Sequence, residues 1–450
     1  MGTRQRLAIV GGDAAGMSAA SVARRRDADL EIVAFERGPY TSYSACGIPY
    51  YVAGLVDEAD RLISRSPEDH RANGIDVRTR CEVVAIDLGA RRLTVRAASG
   101  AESEEPFDQL LVATGAEAVR PPFPGAQAIE PAQTVDAAER LRAALERGGD
   151  SAVVVGAGYI GLEMAEAFVD RGMRVAMIEQ ASQVMATLDA DMAVHVQDAA
   201  EARGVRVVLG AAVEEIVLDE AGAAPVAVRT ADETFEADHV VVGVGSRPLV
   251  GLACDAGLQV GDSGALRVDD HQRCPGHDGV FAAGDCAETR HRVLDRPVNI
   301  HLGTHANKQG RIAGVNATGG DERFPGVIGT AVSKICRYEV GRTGISEREA
   351  SDAGIEIVSA TIKDRTRAGY YPGAGPIWVK LVAEPGSGRL LGGQIVGTEG
   401  AAKRIDVLAT AVWAGLAVQE LALLDLSYAP PFSGVYDPLL IAARAVAKLL

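Results

Sequence analysis

Residues 151–179 read SAVVVGAGYIGLEMAEAFVDRGMRVAMIE: an apolar strand, the turn Gly156-Ala157-Gly158-Tyr159-Ile160-Gly161, a helical stretch, and a second strand closed by Glu179. This spacing predicts a dinucleotide-binding strand–turn–helix–strand unit, with an ordinary glycine turn as the plain alternative. The glycines allow a tight turn and let a diphosphate approach the backbone, while the helix N-terminus offers amides and the positive end of its dipole. An acid about 20 residues on is placed to accept hydrogen bonds from a ribose. That acid is Glu179, and QASQVM (180–185) after it holds no Arg or Lys for a 2′-phosphate, so NADH is expected ahead of NADPH. Gly245 is assigned to the same site.

The pattern also opens the chain. Leu7 to Val10 is a short apolar run, GGDAAG follows at 11–16, an amphipathic stretch reaches Arg26, and LEIVAFE ends at Glu36. Here Asp13 stands at the middle glycine position, which leaves this turn ambiguous by itself. The later GVFAAGDCAE (279–288) adds weight. An apolar strand there leads into Gly284-Asp285, whose carboxylate can reach sugar or ribityl hydroxyls while backbone amides face a phosphate. An ordinary strand-to-helix turn is the other reading.

At 450 residues the chain is expected to hold about three domains. After Phe324 come strand-like segments TAVSKICRYEVG, IEIVSATIK, IWVKLVAE and LLGGQIVG, then a helical pattern from Ala401. Strands followed by helices suggest a separate α+β unit. The expected fold class is therefore α/β, two Rossmann-like dinucleotide-binding domains with a C-terminal α+β domain. The boundaries are drawn at 1–118 and 246–324 for the first, discontinuous unit, 119–245 for the second, and 325–450 for the last. Residues 89–106 read as a hairpin connection.

The formal net charge of −16 opposes a nucleic-acid or anionic-membrane partner, although Arg24-Arg25-Arg26 shows that local basic patches exist. No apolar run is long enough to cross a bilayer, and the start of the chain has no signal-peptide layout, so a cytoplasmic location is expected. The six cysteines, Cys46, Cys81, Cys254, Cys274, Cys286 and Cys336, are scattered and form no CxxC pair. Neither a disulfide scaffold nor a metal site is expected. His301 and His305 are read as packing or surface groups.

One cysteine stands apart. In RGPYTSYSACGIPYYVAG (37–54), Cys46 precedes Gly47 and then Pro49, a residue suited to the first turn of a helix. A thiol at that end would feel the helix dipole and favour its thiolate. The alternative is a structural cysteine among packing tyrosines Tyr43, Tyr50 and Tyr51.

Two dinucleotide folds, GGDAAGMSAA, SYSACGIPYY, GAGYIGLE, VFAAGDCAE and YAPPFSGVYDPL together resemble the pyridine nucleotide–disulfide oxidoreductase family over nearly the whole chain. Within it the chain is most similar to the branch of coenzyme A-disulfide reductases and NADH oxidases and peroxidases, which use one redox cysteine. Thr41 stands where a two-cysteine reductase would place its second thiol. Ala14 stands where oxygen- and peroxide-reducing members resemble one another in carrying histidine, which favours a disulfide-reducing role.

The resemblance implies FAD held by Gly11, Gly12, Ala14, Ala15, Gly16, Glu36, Arg37, Ser42, Thr114, Gly115, Gly284, Asp285, Leu302, Gly303 and Thr304. It implies NADH at Gly156, Gly158, Tyr159, Ile160, Gly161, Glu179 and Gly245, with Tyr159 a movable cover over the flavin. Cys46 is the implied catalytic group, forming a mixed disulfide with the substrate. The C-terminal domain is implied to dimerise and to lend Tyr428, with Tyr370 or Tyr371, to the partner's site as proton donors, a phenol being a fair acid for a leaving thiolate. Core packing is the plain reading of these tyrosines. The best substrate match is coenzyme A disulfide, with Ser18, Arg25, Ser42, Lys403 and Arg404 as contacts, although Ala45 and Val22 depart from the coenzyme A pattern and an exposed helix face explains Arg25 equally well. An NADH oxidase, a persulfide or polysulfide reductase, and a flavin redox sensor or electron-transfer partner are the alternatives.

Overall fold

The computed structural model describes residues 5–450. Its first layer is a five-stranded parallel sheet in the order Val280–Ala282, Gln109–Val112, Arg6–Val10, Glu31–Glu36, Asp76–Thr79. The strand at 280–282 joins strands formed more than 160 residues earlier, so this sheet is built from both ends of a long insertion. The insertion carries a four-stranded parallel sheet, Val205–Leu209, Arg174–Glu179, Ser151–Val155, His239–Val242. Its central strand Ser151–Val155 is buried along its whole length, which is why the sequence there runs apolar without alternation. A short antiparallel ribbon, Ala116–Ala118 with Ser246–Pro248, marks both entry to and exit from this insertion.

Residues 331–397 form a five-stranded antiparallel sheet, ordered Ala331–Ile335, Tyr338–Gly344, Leu390–Gly397, Pro376–Ala383, Val358–Arg365. The helices Ala401–Ala414 and Pro438–Ala447 cover it, burying Ile405, Leu408, Leu439 and Val446 against Leu381 and Ile395. The first of these helices stops at left-handed Gly415, and the second starts at Pro438 behind Asp437, whose side chain accepts from the Leu439 amide. The region expected as a hairpin at 89–106 is part of a three-stranded antiparallel meander, Cys81–Asp87, Arg92–Ala97 and Glu102–Pro106. Among the described residues, no helix is long and apolar enough to cross a membrane.

Two features of this frame position the site. The helix Ala14–Arg26 lies against the helix Gly303–Ala317 with almost no side chain between them: a Cβ on Gly310 would stand 2.1 Å from the Ala15 carbonyl oxygen, and one on Gly314 2.5 Å from that of Ala19. The start of the first helix is thereby held against the middle of the second. In addition, the helix Tyr159–Asp170 of the inserted unit is tied to the C-terminal sheet, where Ser333 Oγ donates to Glu163 at 2.6 Å, the Cys336 amide donates to Glu166 at 2.7 Å, and Lys334 pairs with Glu166.

Candidate functional site

The two glycine turns are built alike. Gly11 (φ +114°) takes a conformation suited to glycine, and a Cβ there would lie 2.1 Å from the Ala113 carbonyl oxygen; Gly156 (φ +101°) stands 2.5 Å from that of Gly243 by the same measure. At the helix end, a Cβ on Gly16 or Gly161 would fall 2.0 Å from the carbonyl oxygen of Gly11 or Gly156. The strand-end acids clamp the turns. Glu36 accepts from the amides of Gly12 (2.8 Å) and Gly38 (2.7 Å), and Glu179 accepts from those of Ala157 (2.7 Å) and Ala181 (2.8 Å). Such turns leave the first amides of the following helix open to an anion.

Beside the first turn lies a cleft of about 440 Å³ lined by Gly11, Gly12, Glu36, Arg37, Thr114, Gly115 and Asp285, together with Ala45. This lining, an open glycine turn together with a buried carboxyl, fits a flavin dinucleotide. Burial raises the Asp285 carboxyl, with His301 pulling the other way. Ala14, Ala15 and Gly16 form the first turn of the adjoining helix. Gly284 (φ +83°) donates its amide to Gln309 at 2.9 Å, and Leu302, Gly303 and Thr304 form the N-terminus of the helix Gly303–Ala317; these four are not among the residues that line the cleft. His301 is more than a packing group: it bridges Ser246 Oγ and Asn299 Oδ1, both at 2.6 Å, and Asn299 donates to the Asp285 carbonyl at 2.9 Å.

In the second turn Gly158 caps the helix Tyr159–Asp170, Ile160 is 43% exposed, and Gly245 (φ +107°) is exposed. The Tyr159 hydroxyl is buried beside Thr187, and burial raises it above its ordinary value.

Cys46 sits in the single helical turn Ala45–Gly47 that leads into the helix Ile48–Ala53, with Pro49 in its first turn. That helix docks on the inserted unit through Arg171, which donates to the Val52 carbonyl, and through Arg142, which donates to the carbonyls of Val56 (3.0 Å) and Asp57 (2.9 Å) and stacks on Tyr51. Cys46 itself is exposed. The protein packed around its sulfur and then the negative charge of Glu163 push the thiol up from its ordinary value, opposite in direction to the pull expected from the helix end. The helix behind it has six residues, and no cation is among the groups that shift the thiol.

A second pocket, of about 550 Å³, opens on the other side of the segment 42–44. Ser18, Arg25 and Ser42 line it, and so does Val22; Ser42, also expected at the flavin, does not line the flavin-sized cleft, whereas Ala45 does. Four groups not anticipated from the sequence join them: Arg65, His70, Lys308 and Arg311. Lys308 and Arg311 lie in GTHANKQGR (303–311), three residues apart on one helix face, which was the signal available; Arg65 and His70 carried none. Lys403 and Arg404 line neither cavity. Lys403 is 90% exposed beside Asp406, and Arg404 is spent internally on Asp437 at 2.9 Å and on the carbonyls of Phe432 and Thr366.

Tyr370, Tyr371 and Tyr428 line neither cavity of their own chain, and they are not core residues, being 78%, 37% and 46% exposed. Tyr370 shares a hydrogen bond with Tyr428. Phe432, Val435 and Tyr436, which follow Tyr428 in the chain, are exposed apolar residues as well. All six cysteines are free, and among the described residues no cluster of His, Cys, Asp or Glu could hold a metal ion.

Comparison with known proteins agrees with this layout. Residues 5–310 match the pyridine nucleotide-disulphide oxidoreductase family and residues 330–439 match its dimerisation domain. A curated relative from Pyrococcus abyssi, an NAD(P)H sulfur oxidoreductase (CoA-dependent), is 37% identical over 449 residues, 98% of either chain. Among solved structures, an NAD-dependent persulfide reductase from A. fulgidus is 39% identical with a TM-score of 0.95, over 99% of this chain and 83% of that one. The reduced CoADR-RHD of Bacillus anthracis is 31% identical, also with a TM-score of 0.95, over 99% of this chain and 81% of that one.

Proposed function

This chain belongs to the pyridine nucleotide-disulphide oxidoreductase family, enzymes that use FAD and NAD(P)H, and from that premise we propose that it reduces a sulfur–sulfur bond carried by a coenzyme A-type thiol at Cys46. The observation that carries this reading is the pocket lined by Arg25, Arg65, Lys308 and Arg311. In a chain of net charge −16, four cations around one cavity form a local anion seat, and the cavity is bordered by Ser42–Ser44, which lead directly to Cys46. A phosphorylated carrier lying there extends its sulfur toward that cysteine. Arg311 also pairs with Glu322, so it is held in place before a ligand arrives.

The Cys46 thiolate attacks one sulfur of the substrate, the sulfur–sulfur bond breaks, and the departing thiolate takes a proton. Cys46 is left in a mixed disulfide. Bound FAD supplies the two-electron relay from NAD(P)H to sulfur. With the proton counted, NAD(P)H, H⁺ and a disulfide give NAD(P)⁺ and two thiols; a persulfide gives one thiol and hydrogen sulfide. Gly11, Gly12, Glu36 and Asp285 are assigned to holding FAD, and Gly156, Gly158 and Glu179 to NADH, preferred because an acid at the strand end suits a free ribose hydroxyl and no cation follows it in 180–185. Tyr428 and Tyr370, both exposed, are assigned to the site of a second copy in a homodimer, where a phenol donates the proton to the leaving thiolate.

Cys46→Ser is expected to purify yellow with bound FAD, to be bleached by NADH without air, and to release no thiol or sulfide from coenzyme A disulfide or persulfide. Thiol release at the wild-type rate refutes the assignment of Cys46. Whichever of the two substrates yields the faster release in the wild type identifies the natural chemistry.

A further inference from the structure

Four hydrogen bonds fix the root of the segment that carries Cys46. The Ser42 amide donates to the Gly12 carbonyl at 3.2 Å, the Ser64 amide donates to the Ser42 carbonyl at 2.8 Å, Ser42 Oγ meets His70 Nε2 at 2.9 Å, and the Tyr43 amide donates to Asp13 Oδ1 at 3.1 Å. They hold Ser42 at φ +49°, a left-handed conformation uncommon for a residue with a side chain. The bond to Asp13 differs from the rest, because it comes from a side chain in the glycine turn itself. Asp13 is the N-cap of the helix Ala14–Arg26, yet its side chain does not cap that helix in the usual way and reaches across to the redox segment. It lines both the flavin-sized cleft and the basic pocket.

An acid there is electrostatically out of place. Glu36 at the end of its strand and Asp285 after the strand at 280–282 both face it, and the Tyr43 hydroxyl is the third titratable neighbour. The cations of the basic pocket, Arg25, Arg65 and Lys308, and the neutral-range group His70 line the far side. Burial, followed by the charges of Glu36 and Asp285, outweighs the amide bonds and pushes the Asp13 carboxyl up to about 7. A dinucleotide diphosphate bound at Gly11–Gly16 adds negative charge to that same neighbourhood.

We propose that Asp13 is a positioning residue that ties the dinucleotide turn to the segment bearing Cys46 and takes up a proton as FAD binds, presenting an O–H to the anionic side while its other oxygen keeps the Tyr43 amide, so that the segment stays in place in the loaded protein. This rests on the flavin reading of the cleft. The proton comes from solvent, no bond other than O–H is formed, and nothing is oxidised or reduced. The FAD diphosphate is a diester with no ionisation near neutrality, so the proton is counted on the protein.

The test is calorimetric titration of FAD into the apoprotein in two buffers of different ionisation enthalpy, at pH 6.5 and 8.5. The expected result is uptake of close to one proton per FAD at pH 8.5, and a dissociation constant that rises roughly tenfold per pH unit above 7. Asp13→Asn keeps an acceptor for the Tyr43 amide but cannot titrate, so it should flatten that dependence and leave the alkylation rate of Cys46 at the wild-type value. Asp13→Ala should alkylate faster. FAD binding without proton uptake, or an Asn variant with the wild-type pH dependence, overturns the inference while leaving the flavin reading intact. Failure of the apoprotein to bind FAD at any pH overturns both. Because the proton count is read on the wild type, a variant that fails to fold does not remove the test.

Discussion

Replacing Lys380 with Met should open the contact between the inserted unit and the C-terminal sheet. Lys380 Nζ, with its side chain 4% exposed, lies 2.7 Å from Asp191, 2.9 Å from Glu347 and 3.3 Å from Asp189. Asp189 is the most buried of the three at 5%, and Gln394, the strand neighbour of Lys380, donates to it at 2.7 Å and accepts from its amide at 2.9 Å. Methionine matches the length of the lysine stem but leaves three carboxylates facing one another. Removing one partner of a buried ion pair costs about 3–5 kcal/mol. Asp191 and Glu347 are 45% and 41% exposed and can be rehydrated, so the cost falls mainly on Asp189 and the lower figure applies. About 3 kcal/mol is roughly a hundredfold in the local opening equilibrium. Hydrogen exchange read by mass spectrometry should therefore quicken by that factor in the helix Ala190–Ala202, and adding Asp189→Asn should restore most of the protection. The sign with pH is fixed as well. Burial opposes the Asp191 charge, but hydrogen bonds from Lys380 and Thr361 outweigh it and hold the carboxyl below its ordinary value of 3.8. Its contribution is present above that value and is lost as pH falls through the depressed one, so the difference between wild type and variant should narrow only in acid. Unchanged exchange at neutral pH refutes the argument.

The thiol and the helix contact give two further predictions. Glu163→Gln keeps an acceptor for Ser333 but removes the charge that, after burial, raises the Cys46 thiol, so the midpoint of its iodoacetamide rate against pH should move down; an unmoved or raised midpoint removes Glu163 from the account. Gly310→Ala gains about 1 kcal/mol of helix propensity, against an overpacking cost of about 1–3 kcal/mol or more, since its Cβ falls 2.1 Å from the Ala15 carbonyl oxygen. The contact distance decides that the net effect is destabilising, with weaker FAD retention and a lower thermal midpoint; equal or higher stability would mean the helices part freely.

The parts legible in the sequence are those whose physics is local. A strand, a glycine turn, a helix and a strand-end acid span about 30 residues, and the hydrogen bonds of Glu36 and Glu179 close within that span. The meander that begins at Cys81 was read only in part, because Arg80 (φ +55°) turns the chain into its first strand and nothing in the charged stretch 89–106 announces that partner. The thiol was read from the adjacent helix end, but the charge that acts on it comes from Glu163, 117 positions away. The basic pocket likewise gathers Arg25, Arg65 and Arg311 from segments that meet only in the folded chain. Arg404, expected as a substrate contact, instead pairs with Asp437, and its neighbour Lys403 points to solvent.

The two glycine turns also separate what the fold needs from what the ligand needs. The first and last glycines of each turn are required by the backbone, since any Cβ there would meet a carbonyl oxygen at 2.0–2.5 Å. The middle position is different: at Gly158 a Cβ would meet nothing within 4 Å. A side chain is sterically free at that place in either turn, so glycine there serves the approach of a diphosphate and not the fold. Asp13 can therefore occupy the equivalent position in the first turn while the sheet, the turn and the Glu36 clamp remain as they are in the second. The irregularity that made the first motif ambiguous as a pattern thus costs the architecture nothing, and it places a carboxyl where the dinucleotide cleft, the basic pocket and the segment bearing Cys46 meet.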